Sequence, residues 1–350
     1  MPPFEKRKIA FVELGSRIQS LLHDFDANKT IHEDFASVIS QAKAENAWFT
    51  EENILFALRQ WGKVLTKHQL DNWLNNYSLA RPKDARTIGV IMAGNIPLVG
   101  FHDFLAILVS GHKARIKLSS NDKRLLPYLA KLLVEIEPAF KDHIHFEENT
   151  LKNYDAVIAT GSNNTARYFE YYFRNKPHII RKNRNAVALL TGNETAEELN
   201  RLGEDIFRYF GLGCRNVSKL MVPRNYDFKS FFEGISNYND YINNHKYANN
   251  YDYNKAVFLM SDIKFQDNGF LIVKPDSAFS TPIGVLNYEE YTDEKVIDNS
   301  LKNNIENIQC VVGNHHLCGV NFGESQHPKL SDYADGVDTI TFLSELDTTI

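Results

Sequence analysis

Apolar residues recur at helical spacing through the first part of the chain: Phe11, Leu14, Ile18, Leu21 and Leu22, then Ile54, Leu55, Leu58 and Trp61, then Leu70, Trp73 and Leu74. This period predicts amphipathic helices over residues 6–80. Thr50, followed by Glu51 and Glu52, has the form of a helix start, with a capping hydroxyl and acids in the first turn. Nothing in this stretch carries candidate chemistry, and its aromatics read as core.

The pattern changes at Arg81-Pro82-Lys83-Asp84. Thr87–Met92 is a continuous apolar run ending in Ala93-Gly94-Asn95, the form of a buried parallel strand entering a turn. A helix over Val99–Ser110, closed by Gly111, precedes a strand over Lys113–Leu118 that ends in Ser119-Ser120. A helix over about 123–137, a short strand at 144–146, a strand over Tyr154–Ala159 and a helix over Asn164–Phe173 follow. Further on, the pattern predicts a strand over Asn185–Leu190, a helix running to Phe210, a strand over Ser218–Pro223 and a helix over Tyr226–Ile235. Strands over Ala256–Met260 and Gly269–Val273, a helix over Val296–Asn307 and a strand over Ile308–Val312 complete the series. The Asn/Tyr-rich stretch 237–254 reads as an irregular surface insertion or a lid. Alternation of this kind predicts a doubly wound α/β fold with ligands at the carboxyl ends of its strands. The polar turns Gly94-Asn95, Ser119-Ser120 and Gly161-Ser162 fall at such ends.

Composition narrows the classes. A chain of 350 residues, 43% hydrophobic and 24% charged, has the profile of a globular protein of two α/β domains or one large one. A net charge of -5 with only short Lys/Arg runs argues against nucleic acid. No apolar run is long enough to span a membrane or serve as a secretory signal. The cysteine count of 3 suits a reducing compartment, and a cytoplasmic protein is expected.

Cys214 lies in Gly211-Leu212-Gly213-Cys214-Arg215-Asn216, between a helix and a strand. Small neighbours leave a thiol accessible, Arg215 favours a thiolate, and backbone N–H groups can hold an oxyanion. The alternative is a structural cysteine in a helix-ending turn. Asn95 offers an uncharged oxyanion donor or is simply a turn residue. Lys117 can reach cofactor ribose hydroxyls or a 2′-phosphate, or else extend to solvent. Gly161-Ser162 opens a helix whose N-terminus suits a pyrophosphate. Cys310, His315, His316 and Cys318 lack the spacing of a zinc site, and no metal is expected. The signatures of serine hydrolases, zincins and P-loop proteins are absent.

Taken in order, Ala-Gly-Asn95-Ile-Pro97, Arg115-Ile-Lys117-Leu-Ser-Ser, Ala-Thr-Gly161-Ser162 and Gly211-Leu-Gly-Cys214 leading into Lys219-Leu-Met-Val-Pro resemble the LuxC-like acyl-CoA reductase branch of the aldehyde dehydrogenase superfamily. Thr281–Val285, Asn321-Phe322-Gly323 and the segment from Asn46 to Tyr77 extend the resemblance from about residue 45 to 345. It implies an aldehyde-dehydrogenase-like fold: a helical N-terminal segment (1–82), a Rossmann-like NAD(P)-binding domain (83–184), an α/β catalytic domain carrying Cys214 (185–320) and a C-terminal return and oligomerisation segment (321–350). It also implies Cys214 as nucleophile, Asn95 and the Cys214 N–H as oxyanion donors, Lys117 and Ser119 at the adenosine half of the cofactor, and Gly161 and Ser162 at the pyrophosphate.

Aldehyde-oxidising relatives carry a water-activating glutamate where this chain reads Arg184-Asn185-Ala186-Val187. Its loss fits thioester reduction, with Glu194 as a nearby substitute base. Ala278-Phe279-Ser280 stands in the approximate place of a ribose-binding glutamate. The expected activity is NADPH-dependent (NADH as second choice) reduction of an acyl-CoA or acyl-carrier thioester to an aldehyde, in a homo-oligomer. The alternatives are a degenerate acyl-thioester-binding protein or an aldehyde oxidiser.

Overall fold

The computed structural model describes residues 2–27, 33–79 and 85–346. The change of pattern expected at Arg81–Asp84 lies outside them. The chain divides into two units, Met1–Lys182 with Lys329–Ile350, and Asn183–Pro328.

The first unit begins with four helices, α1 (Phe4–Asp26), α2 (Glu33–Glu45), α3 (Glu51–Val64) and α4 (Lys67–Leu74). Thr50 caps α3 as its position predicts, its hydroxyl accepting from the Asn53 N–H. The sheet strands are β1 (Thr87–Ile91), β2 (Lys113–Lys117), β3 (Ile144–Phe146), β4 (Ala156–Thr160) and β5 (His178–Arg181). All pair in parallel in the order β3-β2-β1-β4-β5. Helices α5 (Phe101–Ser110), α6 (Leu125–Ile136) and α7 (Asn163–Phe173) connect them. Helix α5 is apolar on every side and every residue but His102 is buried, so it forms the centre of a core that α1 closes with Phe11 and Leu14.

Two buried cations bind this unit together. The Arg7 guanidinium donates to the carbonyls of Val109, Pro2 and Leu79. Arg181, at the end of β5, pairs with Asp103 of α5 at 2.6 Å and donates to the Thr339 hydroxyl at 2.9 Å. Both members of the pair are almost fully buried. Truncating one therefore strands the other charge, and Arg181→Ala should cost about 3–5 kcal/mol. Urea unfolding checks this; a loss below about 1 kcal/mol would show that the pair is not buried in solution.

The second unit holds β6 (Asn185–Leu189), β7 (Val217–Pro223), β8 (Gln266–Asp267), β9 (Ile272–Pro275), β10 (Val285–Tyr291) and β11 (Ile308–Val312). Their order is β11-β6-β7-β10-β9-β8, parallel except for β8. Its helices are α8 (Ala196–Phe207), α9 (Phe228–Gly234), α10 (His245–Met260) and α11 (Glu294–Asn303). Thr195 and Glu198 form a capping box at the start of α8. The terminal helix α12 (Thr339–Glu345) belongs to the first unit, where it packs on α5.

Two expectations are corrected. Residues 237–254 are not an irregular insertion: a 3-10 turn over Ser236–Asn243 leads into α10. Ala256–Met260 is the last part of that helix, not a strand. Asn244 caps it by accepting from the Lys246 and Tyr247 N–H groups, and Tyr247, Tyr251, Asn254 and Phe258 form its buried stripe. The helical period is carried by tyrosines and an asparagine, which an aliphatic pattern misses. Strands β5 and β10 were also unforeseen. β5 is short, and β10 carries Glu289 and Glu290 where a buried parallel strand is expected to be apolar.

Candidate active site

In the first unit, β1 is flanked by β2 on one side and β4 on the other, so the strand order reverses between β1 and β4. A doubly wound sheet opens its ligand crevice there, at the carboxyl ends. Gly94 and Asn95 follow β1, Ser119 follows β2, and Gly161 and Ser162 follow β4. The turns after β1 and β2 touch: a Cβ on Gly94 would fall 2.6 Å from the Ser119 Oγ. Only glycine allows this approach.

Two buried side chains that sequence reasoning assigned no role hold the first of these turns. Asn46 donates to the carbonyls of Gly94 (3.5 Å) and Asn121 (3.3 Å). Asp122 accepts from the Leu98 N–H at 3.2 Å, securing a residue whose φ is 59°. Burial pushes the Asp122 carboxyl up to about 6. Asn95 itself is exposed at the tip of the turn. Ser162 is the N-cap of α7, accepting from the Thr165 N–H at 3.3 Å. Lys117, the last residue of β2, donates to the Asn149 carbonyl at 2.8 Å. The five candidates of this unit thus stand on the carboxyl edge of three adjacent strands.

Cys214 belongs to the second unit. Helix α8 stops at Phe207, short of the expected Phe210, because Tyr209 (φ 55°), Phe210 (φ 58°) and Gly211 (φ 76°) turn left-handed in succession. Two bulky residues in that region are costly, and burial of both rings holds them there. The half-buried Cys214 follows at the tip of a turn leading into the amino end of β7.

Asn216 organises that turn. Its Oδ1 accepts from the Gly213 N–H at 2.8 Å. Its Nδ2 donates to the carbonyls of Asp205 (3.1 Å), Ile206 (3.3 Å) and Arg208 (2.8 Å), closing the end of α8. The Gly213 N–H is therefore engaged and leaves the role of oxyanion donor to others. The Asn216 carbonyl accepts from the Ala186 N–H at 3.0 Å, which brings Arg184–Val187 alongside the cysteine turn. That stretch holds no carboxylate. An asparagine two residues after a cysteine was the available signal for Asn216, but its partners become visible only in the fold.

Glu194 does not replace the missing base. Its carboxylate accepts from the Thr191 N–H and hydroxyl and the Gly192 N–H, beyond the carboxyl end of β6. The cysteine turn sits at the amino end of the neighbouring parallel strand, on the opposite edge of the sheet. Ser277–Phe279 is strapped across β7 and β10. Lys219 donates to the Ser277 carbonyl (2.7 Å), Asn287 to that of Ala278 (2.9 Å) and Ser218 to that of Phe279 (2.5 Å). The carboxylate in this network, Glu289, is paired with buried Lys219 at 2.6 Å.

Asp205 of α8 is fully buried and accepts from the Gly323 N–H (2.6 Å) and the Ser325 N–H (2.9 Å), fixing the 321–326 segment. Burial raises its carboxyl from the ordinary 3.8 to about 6. Between those values the native protein keeps a proton that the unfolded chain has lost. This group's contribution to stability therefore falls as pH rises through the window, by up to about 3 kcal/mol. Urea unfolding between pH 4 and 7 should show this component, flattened in Asp205→Asn; an identical slope in the variant would contradict it.

A search of solved structures returns aldehyde dehydrogenases. A putative aldehyde dehydrogenase from Burkholderia cenocepacia aligns with a TM-score of 0.62 at 12% identity, over 87% of this chain and 73% of that one. Aldehyde dehydrogenase 21 from Physcomitrella patens aligns with a TM-score of 0.65 at 12% identity, over 98% and 84%. The NAD+ complex of an aldehyde dehydrogenase from Bacillus cereus gives 0.62 and 12%, over 89% and 72%. The fold is that of the aldehyde dehydrogenases. The profile of the acyl-CoA reductase (LuxC) family matches residues 19–225, and the chain belongs to that family. No curated protein matches it. Among the described residues, no helix is long and apolar enough to cross a membrane.

Proposed function

We propose that this protein reduces an acyl-CoA, or an acyl-carrier thioester, to an aldehyde through a thioester on Cys214. The observation that carries the reading is the cysteine turn itself. Asn216 sets the thiol at the start of β7, and the backbone beside it, Arg184–Val187, offers no carboxylate to activate water.

In this mechanism the Cys214 thiolate attacks the carbonyl carbon of the substrate thioester, and the carbon–sulfur bond to the carrier breaks. The carrier thiolate leaves and takes up a proton. When bound, a nicotinamide cofactor would supply a hydride to the acyl carbon. As the Cys214–carbon bond breaks, the aldehyde departs and the thiolate is restored. Asn95 is assigned, by the family resemblance, as an amide donor to the oxyanion. Without an activated water, the acyl group on sulfur waits for hydride and is not released as acid.

The first unit's residues fit a dinucleotide. The Gly94–Ser119 contact forms a close-packed floor that a side chain at 94 would fill, and Gly161-Ser162 presents a helix N-terminus at the switch point. Lys117 is assigned to the adenosine ribose, Ser119 to the adenosine half, and Gly161 and Ser162 to the pyrophosphate. NADPH is favoured over NADH because Asp122, the first acid after β2, turns inward to the Leu98 N–H and presents no carboxylate to a ribose. A cytoplasmic homo-oligomer is the setting proposed for the enzyme.

Anaerobic incubation with a series of acyl-CoAs and NADPH tests the activity. The expected result is one aldehyde formed per NADPH oxidised. Stable acylation without NADPH oxidation would instead make this an acyl-thioester-binding protein. Reduction of NADP+ on adding aldehyde and water, with acid as product, would make it an aldehyde oxidiser.

A further inference from the structure

On the edge of the second sheet opposite Cys214, three side chains from two separate segments converge. Glu294 is the first residue of α11, and His315 and His316 lie in the loop that follows β11. Their ligand atoms all fall within 4.8 Å of one another, with His316 Nε2 2.7 Å from a Glu294 carboxylate oxygen. The two imidazoles lie side by side, ring centres 4.2 Å apart. We propose that this cluster is a binding site for a divalent transition-metal ion of the Zn2+ class, held by two imidazole nitrogens and one carboxylate oxygen.

The surroundings make the donors a defined set. Asp293 caps α11 by accepting from the Lys295 and Val296 N–H groups, which fixes the backbone that carries Glu294. The histidine loop is closed at its base, where the Gly313 N–H donates to the Val320 carbonyl and the Gly319 and Val320 N–H groups both donate to the Val311 carbonyl. Within it, the Cys318 N–H donates to the His315 carbonyl at 2.8 Å. The Cys318 side chain packs against the apolar cluster of Val187, Leu189 and Met221. The atoms that converge are those of Glu294, His315 and His316, so the donor set is two nitrogens and one oxygen. Two histidines and one carboxylate suit Zn2+, with water completing the coordination.

Bonds of about 2.0–2.1 Å require the ligand atoms to lie roughly 3.3–4.2 Å apart. Reaching that geometry takes only small rotations, the His316–Glu294 contact opening from 2.7 Å to admit the ion, since Glu294 and His316 are exposed and His315 half-buried. The cysteine turn precedes β7, whereas the cluster follows the carboxyl ends of β10 and β11 in the same parallel sheet. The length of β7, roughly 20 Å at about 3.3 Å per residue, separates the two. The ion therefore clamps the 313–320 loop to the start of α11 and takes no part in the chemistry at Cys214.

The test uses the full chain, stripped with chelator and titrated with Co2+ and then Zn2+. One equivalent of Co2+ should give visible ligand-field bands without near-ultraviolet thiolate charge transfer, and Zn2+ should displace it and raise Tm. His316→Ala and Glu294→Gln should each weaken binding by about tenfold or more, while circular dichroism and NADPH oxidation stay as in the unaltered protein. Thiolate bands would assign the ion to a cysteine and overturn the proposal. Unchanged affinity in both variants, or no saturable binding below about 100 μM, would also overturn it.

Discussion

Cys214→Ala should lose acyl-CoA-dependent NADPH oxidation by at least about three orders of magnitude, because covalent catalysis has no other thiol to use. Cys310 lies within β11, and Cys318 packs in an apolar cluster with its thiol raised to about 11. The fold should be unaffected: Cys214 is half-buried at a turn tip, and the turn is held by Asn216. Melting temperature and circular dichroism should therefore match those of the unaltered protein. Retention of more than a few per cent of the rate would show that the acyl group does not pass through this sulfur.

The second large effect is expected at Asn216, which touches no reacting atom. Asn216→Ala leaves the Gly213 N–H and the carbonyls of Asp205, Ile206 and Arg208 without their side-chain partner, in a place where water does not reach. An abandoned buried polar group costs about 1–3 kcal/mol, and the loss is shared among several here, so about 3 kcal/mol of stability should disappear. The turn also carries strain in Tyr209 and Phe210, which relaxes once its closure is removed. A displacement of the thiol by about 1 Å is enough for a hundredfold loss in kcat. The fall should be in kcat at unchanged cofactor affinity, because Asn216 lies in the second unit and the residues proposed for the cofactor lie in the first. Steady-state kinetics with cofactor titration separates the two; a loss confined to cofactor KM would contradict the positioning role.

The strand–helix alternation of the first unit was legible because its strands are continuous apolar runs and its turns end on Gly, Asn and Ser. Gly111 stops α5 with φ 94°, as its place after the apolar run predicts. The second unit was harder to read. Helix α10 buries tyrosines and an asparagine, and β10 carries two glutamates, so a rule based on aliphatic periodicity fails for both. Cys214 and the residues of the first unit were picked out by their order along the chain. Asn46, Asp122, Asn216 and Asp205, which hold the turns around them, were not, because their partners are backbone groups that only the fold brings to them. Asn46 reaches Gly94, and Asp205 reaches Gly323. Glu294 escaped notice beside His315 and His316 for the same reason: the donors come from different elements. The carboxylate missing from Arg184–Val187 gained meaning only once the Ala186 N–H was found bonded to the Asn216 carbonyl, beside the thiol.

The central claim is that Cys214 carries the acyl group. Intact-protein mass spectrometry after exposure to acyl-CoAs of increasing chain length, without NADPH, tests it most directly. The expected result is a single adduct with the mass of the acyl group minus one hydrogen, mapped by peptide analysis to Cys214, removed by hydroxylamine and discharged as aldehyde on adding NADPH. No adduct at any chain length, or one that persists in Cys214→Ala, would contradict it.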